Sequence, residues 1–229
     1  MSFVDLGKPP PLDVYPAWSQ QLVEKVDIAL SEAWERVRAH SPSVIATEDE
    51  DRITDQLVTE LARMRKANEP PGFNSALFAV PVRDGKVPNR SGSSIDQMPD
   101  LTIYPASSRL GVADDRHDAL FYECKVLKGK RGLTLYRKNG INRFLSGQYA
   151  WRMPHAGMIG YVFDTSPKCP VTALTKYFSR RTVGSTLAVS GPPSRVMVAA
   201  STNASDVART AHARGSNADL IELRHLWLS

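Results

Sequence analysis

The stretch ALFYECKVLKGK, residues 119–130, decides how the rest of the chain is interpreted. Apolar residues on both sides of a short charged section predict a buried strand. Glu123 and Lys125 stand two positions apart, so on a strand they project from the same face, while Cys124 projects from the opposite face into the core. Because burial of an unpaired charge is costly, the two charged groups must be solvated, paired or coordinated to a metal.

The composition indicates a globular protein. The chain has 229 residues, 42% of them hydrophobic, which is enough for one domain with a sizeable core. Its net charge of +5 is compatible with an anionic partner but does not require one. Without a CxxC pair, a zinc site built on cysteines is not expected. Without a signal-peptide pattern or a run of 18 apolar residues, we expect no membrane partner and a cytoplasmic, reducing location.

The periodicity of apolar residues predicts an α/β domain with a central mixed β-sheet flanked by helices. Thr47 and Glu50 have the spacing of a capping box at the start of the second helix. A turn is expected at Asp84–Gly85, within the first strand. The predicted helices cover 16–40, 47–68, 139–153 and 172–183, and the predicted strands cover 75–89, 100–106, 118–127, 156–164, 194–202 and 221–229.

A second carboxylate is expected beside Glu123. Asp100 follows Pro99 and opens the strand before the one that carries Glu123. A strand–loop–strand over 101–122 is expected to fold back and bring Asp100 next to Glu123. Oxygen ligands of this kind suit Mg²⁺, which keeps several waters and needs few protein ligands. The two acids therefore predict a magnesium site.

Pro99–Asp100 followed by Glu123-Cys124-Lys125 resembles the motif of the PD-(D/E)xK nuclease superfamily, which has the restriction-endonuclease-like fold. The resemblance implies a core of order αβββαβ between about residues 47 and 164. It also implies that Asp100 and Glu123 hold Mg²⁺, with Mn²⁺ as a substitute, and that Lys125 positions the attacking water. Residues 1–46 are then an N-terminal arm and helical extension, and residues 47–229 are the nuclease-like domain with a C-terminal elaboration.

Members of this superfamily usually carry another acid on the helix before the strands. Glu50 stands three and seven residues before Ile53 and Leu57, so it lies on the packed face at the start of that helix. We therefore expect Glu50 to be the third catalytic and metal-binding carboxylate. The acidic helix start also has a simpler explanation, because acids at a helix N-terminus interact favourably with the helix dipole.

A basic segment follows the charged strand. Residues 125–163 contain no Asp or Glu but eight Lys or Arg, which predicts a surface that contacts phosphates. Gln148 is included among the candidates because some members of the superfamily carry a Gln and a Tyr on the helix after the lysine strand. The expected nucleic-acid-binding residues are Lys128, Lys130, Arg131, Lys138, Arg143 and Gln148.

The resemblance implies Mg²⁺-dependent hydrolysis of phosphodiester bonds in DNA rather than RNA, by an endonuclease of the restriction or phage-defence kind. A homodimer or a partner chain is expected to supply target choice. Three alternatives remain open at this stage: a non-catalytic nucleic-acid-binding or assembly subunit with the same fold, a ribonuclease toxin, and a protein in which Glu123 and Lys125 merely pair on a sheet edge. The sequence has no G-x-S-x-G and no Walker A motif, which argues against a serine hydrolase and a nucleotide motor.

Overall fold

A computed structural model describes residues 14–163, 169–196, 207–214 and 219–229 of the chain. The helices are α1 (Gln20–His40), α2 (Pro42–Ile45), α3 (Glu50–Ala67), α4 (Gly132–Tyr136), α5 (Asn142–Leu145), α6 (Pro170–Phe178) and α7 (Arg181–Thr186), and a π-helical stretch, Arg137–Ile141, joins α4 to α5. The strands are β1 (Val82–Arg83), β2 (Leu101–Ile103), β3 (Leu120–Leu127), β4 (His155–Val162), β5 (Ser194–Val196), β6 (Val207–Arg214) and β7 (Asp219–Leu228). None of the helices in these ranges is long and apolar enough to cross a bilayer.

All these strands belong to one seven-stranded sheet in the order β1-β2-β3-β4-β7-β6-β5. The three central strands, β3, β4 and β7, run parallel, and the outer strands pair antiparallel. Glu123 lies opposite Met158 on β4, and Met158 lies opposite His225 on β7. The prediction of an α/β fold with a central mixed sheet is confirmed.

The central strands are buried because helices cover both faces of the sheet. On one face α1 stacks Trp34 on Tyr161, with ring centroids 5.4 Å apart, and α3 brings Thr54 Oγ1 to 3.0 Å from the Tyr161 hydroxyl. On the other face the segment from α4 to α5 covers Glu123 and Met158. Gly157 on β4 is required by packing, since a Cβ there would lie 2.1 Å from the Tyr122 ring. The sheet is therefore a packed platform from which β3 presents its charged residues.

The predicted helix over 139–153 is wrong in its bounds. The helical segment begins at Gly132, passes through the π-helical stretch and ends at Leu145. It stops because Gly147 adopts a left-handed φ of 72°, with its amide donating to Phe144 and the amide of Gln148 donating to Arg143. This is the usual way in which a glycine ends a helix. Residues 148–153 therefore form turns that bring Tyr149 back toward the sheet.

Three other predictions of local structure need correction. The capping box at Thr47 is wrong, because Asp49 is the N-cap of α3 and accepts from the amides of Asp51 and Arg52. The strand over 75–89 shrinks to two residues, since Pro81 and Pro88 have no amide to donate to a sheet. The helix over 172–183 is two helices, α6 and α7.

The C-terminal third extends the sheet by three strands. The prediction over 221–229 is confirmed by β7, and the part of the 194–202 prediction within the described residues is β5. Residues 197–202 of that prediction lie outside the described residues. Strand β6, with the sequence VARTAHAR, was not predicted, because alanine, arginine and threonine give its alternation too weak an apolar signal.

Candidate functional site

The four residues that the sequence singled out meet at the amino group of Lys125. Its Nζ lies 2.7 Å from Glu50 Oε1, 3.1 Å from Asp100 Oδ2 and 3.2 Å from Glu123 Oε2. It also donates to the carbonyl of Cys124. The three carboxylates come from the start of α3, from the residue before β2 and from β3 itself. Lys125 therefore pairs with a carboxylate that lies 75 positions away in the chain.

Two of these carboxylates are fastened to the backbone of β3. Strand β2 is short and pairs only with Leu120–Tyr122, so the β3 amides beyond that point need other acceptors. Asp100 Oδ2 accepts from the Cys124 amide at 2.7 Å, and Glu50 Oε2 accepts from the Val126 amide at 3.0 Å. The side chains thus continue the hydrogen-bonding edge of the strand on either side of Lys125. Hydrogen bonds to the β3 backbone therefore hold the carboxylates of Asp100 and Glu50 in position.

Glu123 is fully buried, and its two oxygens differ in their surroundings. Oε1 accepts from Arg143 Nη1 at 3.0 Å and from the Tyr149 hydroxyl. Oε2 lies 3.2 Å from the ammonium of Lys125 and has no other polar partner among the described residues. Oε1 is therefore held by two donors, whereas Oε2 depends on the ion pair with Lys125.

Burial and the neighbouring charges shift the pKa values of Glu123 and Lys125. Burial, together with the nearby carboxylate of Asp100, raises the pKa of Glu123 to about 8, against the attraction of Lys125 and Arg143. Burial alone would lower the pKa of Lys125, but the carboxylates of Glu123, Asp100 and Glu50 outweigh burial and raise it. Lys125 thus stays protonated at neutral pH. Three carboxyl groups face two cations, Lys125 and Arg143, and Glu123 is the one whose raised pKa keeps it largely protonated at neutral pH.

The donor set is compatible with a divalent cation. Asp100 and Glu123 offer carboxylate oxygens, the ligand type that Mg²⁺ prefers, and each of them contacts the Lys125 ammonium. As arranged around that ammonium, no group of three or more Asp, Glu, His or Cys side chains in the described ranges is set to hold a metal by itself. Mg²⁺ is commonly held by one or two carboxylates and by waters, so Asp100 and Glu123 are the side chains that could hold it.

A cleft of about 360 Å³ opens beside the cluster at the C-terminal end of β3. It contains three of the predicted nucleic-acid-binding side chains, Lys128, Arg131 and Arg143. Lys138 is exposed but does not line the cleft, Gln148 is not among its lining residues, and the side chain of Lys130 lies outside what the structure describes. The full lining is Glu50, Lys125, Val126, Lys128, Arg131, Gly132, Leu135, Asn139 and Arg143.

Tyr149, which follows Gln148, belongs to the site although it was not among the predicted site residues. Its hydroxyl donates to Glu123 Oε1. The signal that could have found it is Gly147, which ends the helix and turns the chain back over the sheet. Arg143 was predicted to contact nucleic acid, and its pairing with Glu123 was not foreseen. Lys128, which lines the cleft, forms an ion pair with Glu48.

The cluster has to be interpreted from its own residues and geometry. Its motif, Pro99–Asp100 with Glu123 and Lys125, lies on β3 and just before β2, and its cleft is lined mostly by polar and basic side chains. Comparisons of the chain with protein-family models, with curated proteins and with solved structures returned no significant match.

Proposed function

We propose that the protein is a divalent-cation-dependent nuclease that hydrolyses phosphodiester bonds in DNA. The observation that carries this proposal is the convergence of three carboxylates from separate elements on Lys125, which lines a basic cleft together with Glu50. The order helix, three strands, helix, strand from α3 to β4 supports a restriction-endonuclease-like core. An antiparallel β1-β2-β3 followed by a parallel β4 is compatible with that core.

Asp100 and Glu123 are the residues proposed to hold Mg²⁺, or Mn²⁺ in its place. A cation bound there would act as a Lewis acid that lowers the pKa of a bound water and neutralises negative charge on the phosphate. A positive charge beside Glu123 favours the ionised form of this carboxyl group. Tyr149 keeps Oε1 of Glu123 in place, so that Oε2 remains the oxygen facing Lys125.

Lys125 acts in this proposal as a protonated hydrogen-bond donor. Its raised pKa makes it a poor base at neutral pH, so its work is to orient water and to stabilise negative charge that develops on the phosphate. Both oxygens of Glu50 are engaged, one with Lys125 and one with the Val126 amide. We therefore assign Glu50 the role of holding Lys125 in position, with any contact to the cation made through water.

The cleft residues Lys128, Arg131 and Arg143 are proposed to contact phosphates along the nucleic-acid backbone. Such contacts position a strand but carry no sequence information. Target choice is therefore left to a second copy of the chain or to a partner chain.

The test is cleavage of supercoiled plasmid DNA by the parent protein, by Lys125→Met and by Lys66→Met. Lys66 is the matched control, because it is an exposed lysine in the last turn of α3 that does not line the cleft. We expect nicking in Mg²⁺ or Mn²⁺, no nicking in EDTA, a loss of about 10²–10³-fold in Lys125→Met and little change in Lys66→Met.

Equal cleavage by the parent and Lys125→Met, or cleavage that persists in EDTA, would contradict the proposal. Salt-sensitive retention of DNA without cleavage would favour the non-catalytic nucleic-acid-binding subunit. Faster cleavage of RNA than of DNA under the same conditions would favour the ribonuclease.

A further inference from the structure

Arg143 lies between the carboxylate cluster and the open cleft. Its Nη1 donates to Glu123 Oε1 at 3.0 Å, while its side chain lines the cleft and is 37% exposed. Tyr149, the other donor to that oxygen, is almost fully buried. Of the two donors, Arg143 is thus the one with room to move toward a ligand in the cleft.

The pairing of Arg143 with Glu123 opposes the binding of a cation. A guanidinium next to a carboxylate repels a second positive charge that approaches the same group. Lys128, by comparison, pairs with Glu48 and contacts none of the three cluster carboxylates among the described residues. Of the arginines that line the described cleft, Arg143 is therefore the one that competes with a cation for the carboxylate of Glu123.

We propose that Arg143 couples cation loading to nucleic-acid binding by exchanging Glu123 for a phosphate of the substrate. This inference rests on the proposed function. Once a cation compensates the charge of Glu123, the hold of that carboxylate on the guanidinium weakens. Arginine then finds in a phosphate an acceptor that matches its two-pronged geometry. Cation and nucleic acid each favour the binding of the other through this one side chain, as thermodynamic linkage requires.

The exchange predicts effects of opposite sign from one substitution. Arg143→Gln removes the competing charge, so the free protein should bind Mn²⁺ about 5-fold more tightly or better. The same variant should bind duplex DNA more weakly in Ca²⁺, used as a cation that supports binding without cleavage, because a phosphate contact is lost. A residue that merely holds Glu123 in place would give weaker Mn²⁺ binding.

The experiment measures Mn²⁺ affinity of the DNA-free protein by titration calorimetry and DNA affinity in Ca²⁺ by fluorescence anisotropy. Arg131→Gln is the matched control: it removes another cleft cation, and it should weaken DNA binding while leaving Mn²⁺ affinity nearly unchanged. Arg143→Lys keeps the charge and should lie between the parent and Arg143→Gln. Circular dichroism checks that each variant is folded.

Unchanged or weaker Mn²⁺ binding in Arg143→Gln would overturn the exchange while leaving the proposed nuclease site intact. An equal gain in Arg131→Gln would also overturn it, because the effect would then be one of net charge. If the parent binds no Mn²⁺, the proposed function fails, and the inference fails with it.

Discussion

Two buried polar clusters on the sheet differ in whether each of their polar side-chain atoms has a hydrogen-bond partner. Around Glu123, one carboxyl oxygen has two hydrogen-bond donors, whereas the other has only the ion pair with Lys125. Around His225 and His212, every ring nitrogen has a partner at 2.7–2.9 Å. A closed network stabilises and specifies a fold, whereas an open one at a cleft leaves a group for a ligand to satisfy.

The histidine cluster is closed in a way that fixes its protons. The carbonyl of Leu187 can only accept, so His212 Nδ1 donates to it and His212 Nε2 accepts from the Thr210 hydroxyl. Thr210 then accepts from His225 Nε2, and His225 Nδ1 accepts from the Tyr136 hydroxyl. Both imidazoles are neutral in this arrangement, in agreement with burial lowering the pKa of each. The cluster offers nothing to a ligand.

The largest expected effect comes from breaking the closed cluster. Thr210→Val keeps the shape but leaves His225 Nε2–H and His212 Nε2 without partners, which should lower the free energy of unfolding by about 2–3 kcal/mol. Urea denaturation measures this, and Thr175→Val, at an exposed helical site, is the control. Cleavage per folded molecule should stay unchanged. A loss under about 0.5 kcal/mol would show that the cluster is not closed as described.

A gain in stability is expected when the open cluster is neutralised. In the folded protein the pKa of Glu123 is raised to about 8 from 4.5. Its protonated form therefore contributes to the free energy of unfolding fully below pH 4.5, and this contribution is lost as the pH rises through 8. Glu123→Gln has no such loss. The free energy of unfolding of Glu123→Gln, relative to that of the parent, should rise by on the order of 1 kcal/mol or more between pH 5 and pH 8. Urea denaturation of both proteins at pH 5 and pH 8 measures this change. If the difference in unfolding free energy between Glu123→Gln and the parent stays constant or shrinks, the raised pKa of Glu123 is contradicted.

The smallest expected effect comes from His225, whose contribution to the free energy of unfolding depends on pH in the direction opposite to that of Glu123. Burial depresses the folded pKa of His225 below 6.5, so its contribution is present above pH 6.5 and is lost as pH falls. In the Glu123→Gln background, unfolding free energy should therefore fall from pH 7 to pH 6. Adding His225→Gln should reduce that fall by about 0.7 kcal/mol. An unchanged slope would mean that His225 is not held neutral by the fold.

The sequence predicted those parts of the site that depend on the geometry of single elements. Alternation along β3 places Glu123 and Lys125 on one face and Cys124 on the other, and no loop can alter that period. The apolar stripe of α3 places Glu50 on its packed side. Asp100 was expected beside Glu123 because a strand–loop–strand brings the start of one strand to its neighbour. In each case one local rule determines the position.

The parts that the sequence did not predict depend on where elements stop and on distant partners. Gly147 ends the helix and redirects Tyr149, but a single glycine in a helical pattern does not by itself signal a stop. Asp49 caps α3 although Thr47 had the better-known spacing. The pairing of Arg143 with Glu123 joins residues from two elements whose relative placement only the folded chain determines.

The central claim is that Asp100 and Glu123 form a cation site beside Lys125. The most direct test is a crystal structure of the protein soaked in Mn²⁺, with data collected for the anomalous signal of manganese. We expect an anomalous peak within ligand distance of Asp100 and Glu123 Oε2, with Lys125 still nearby. The absence of a peak there at saturating Mn²⁺, with the Lys125 ammonium alone among the three carboxylates, would contradict the claim.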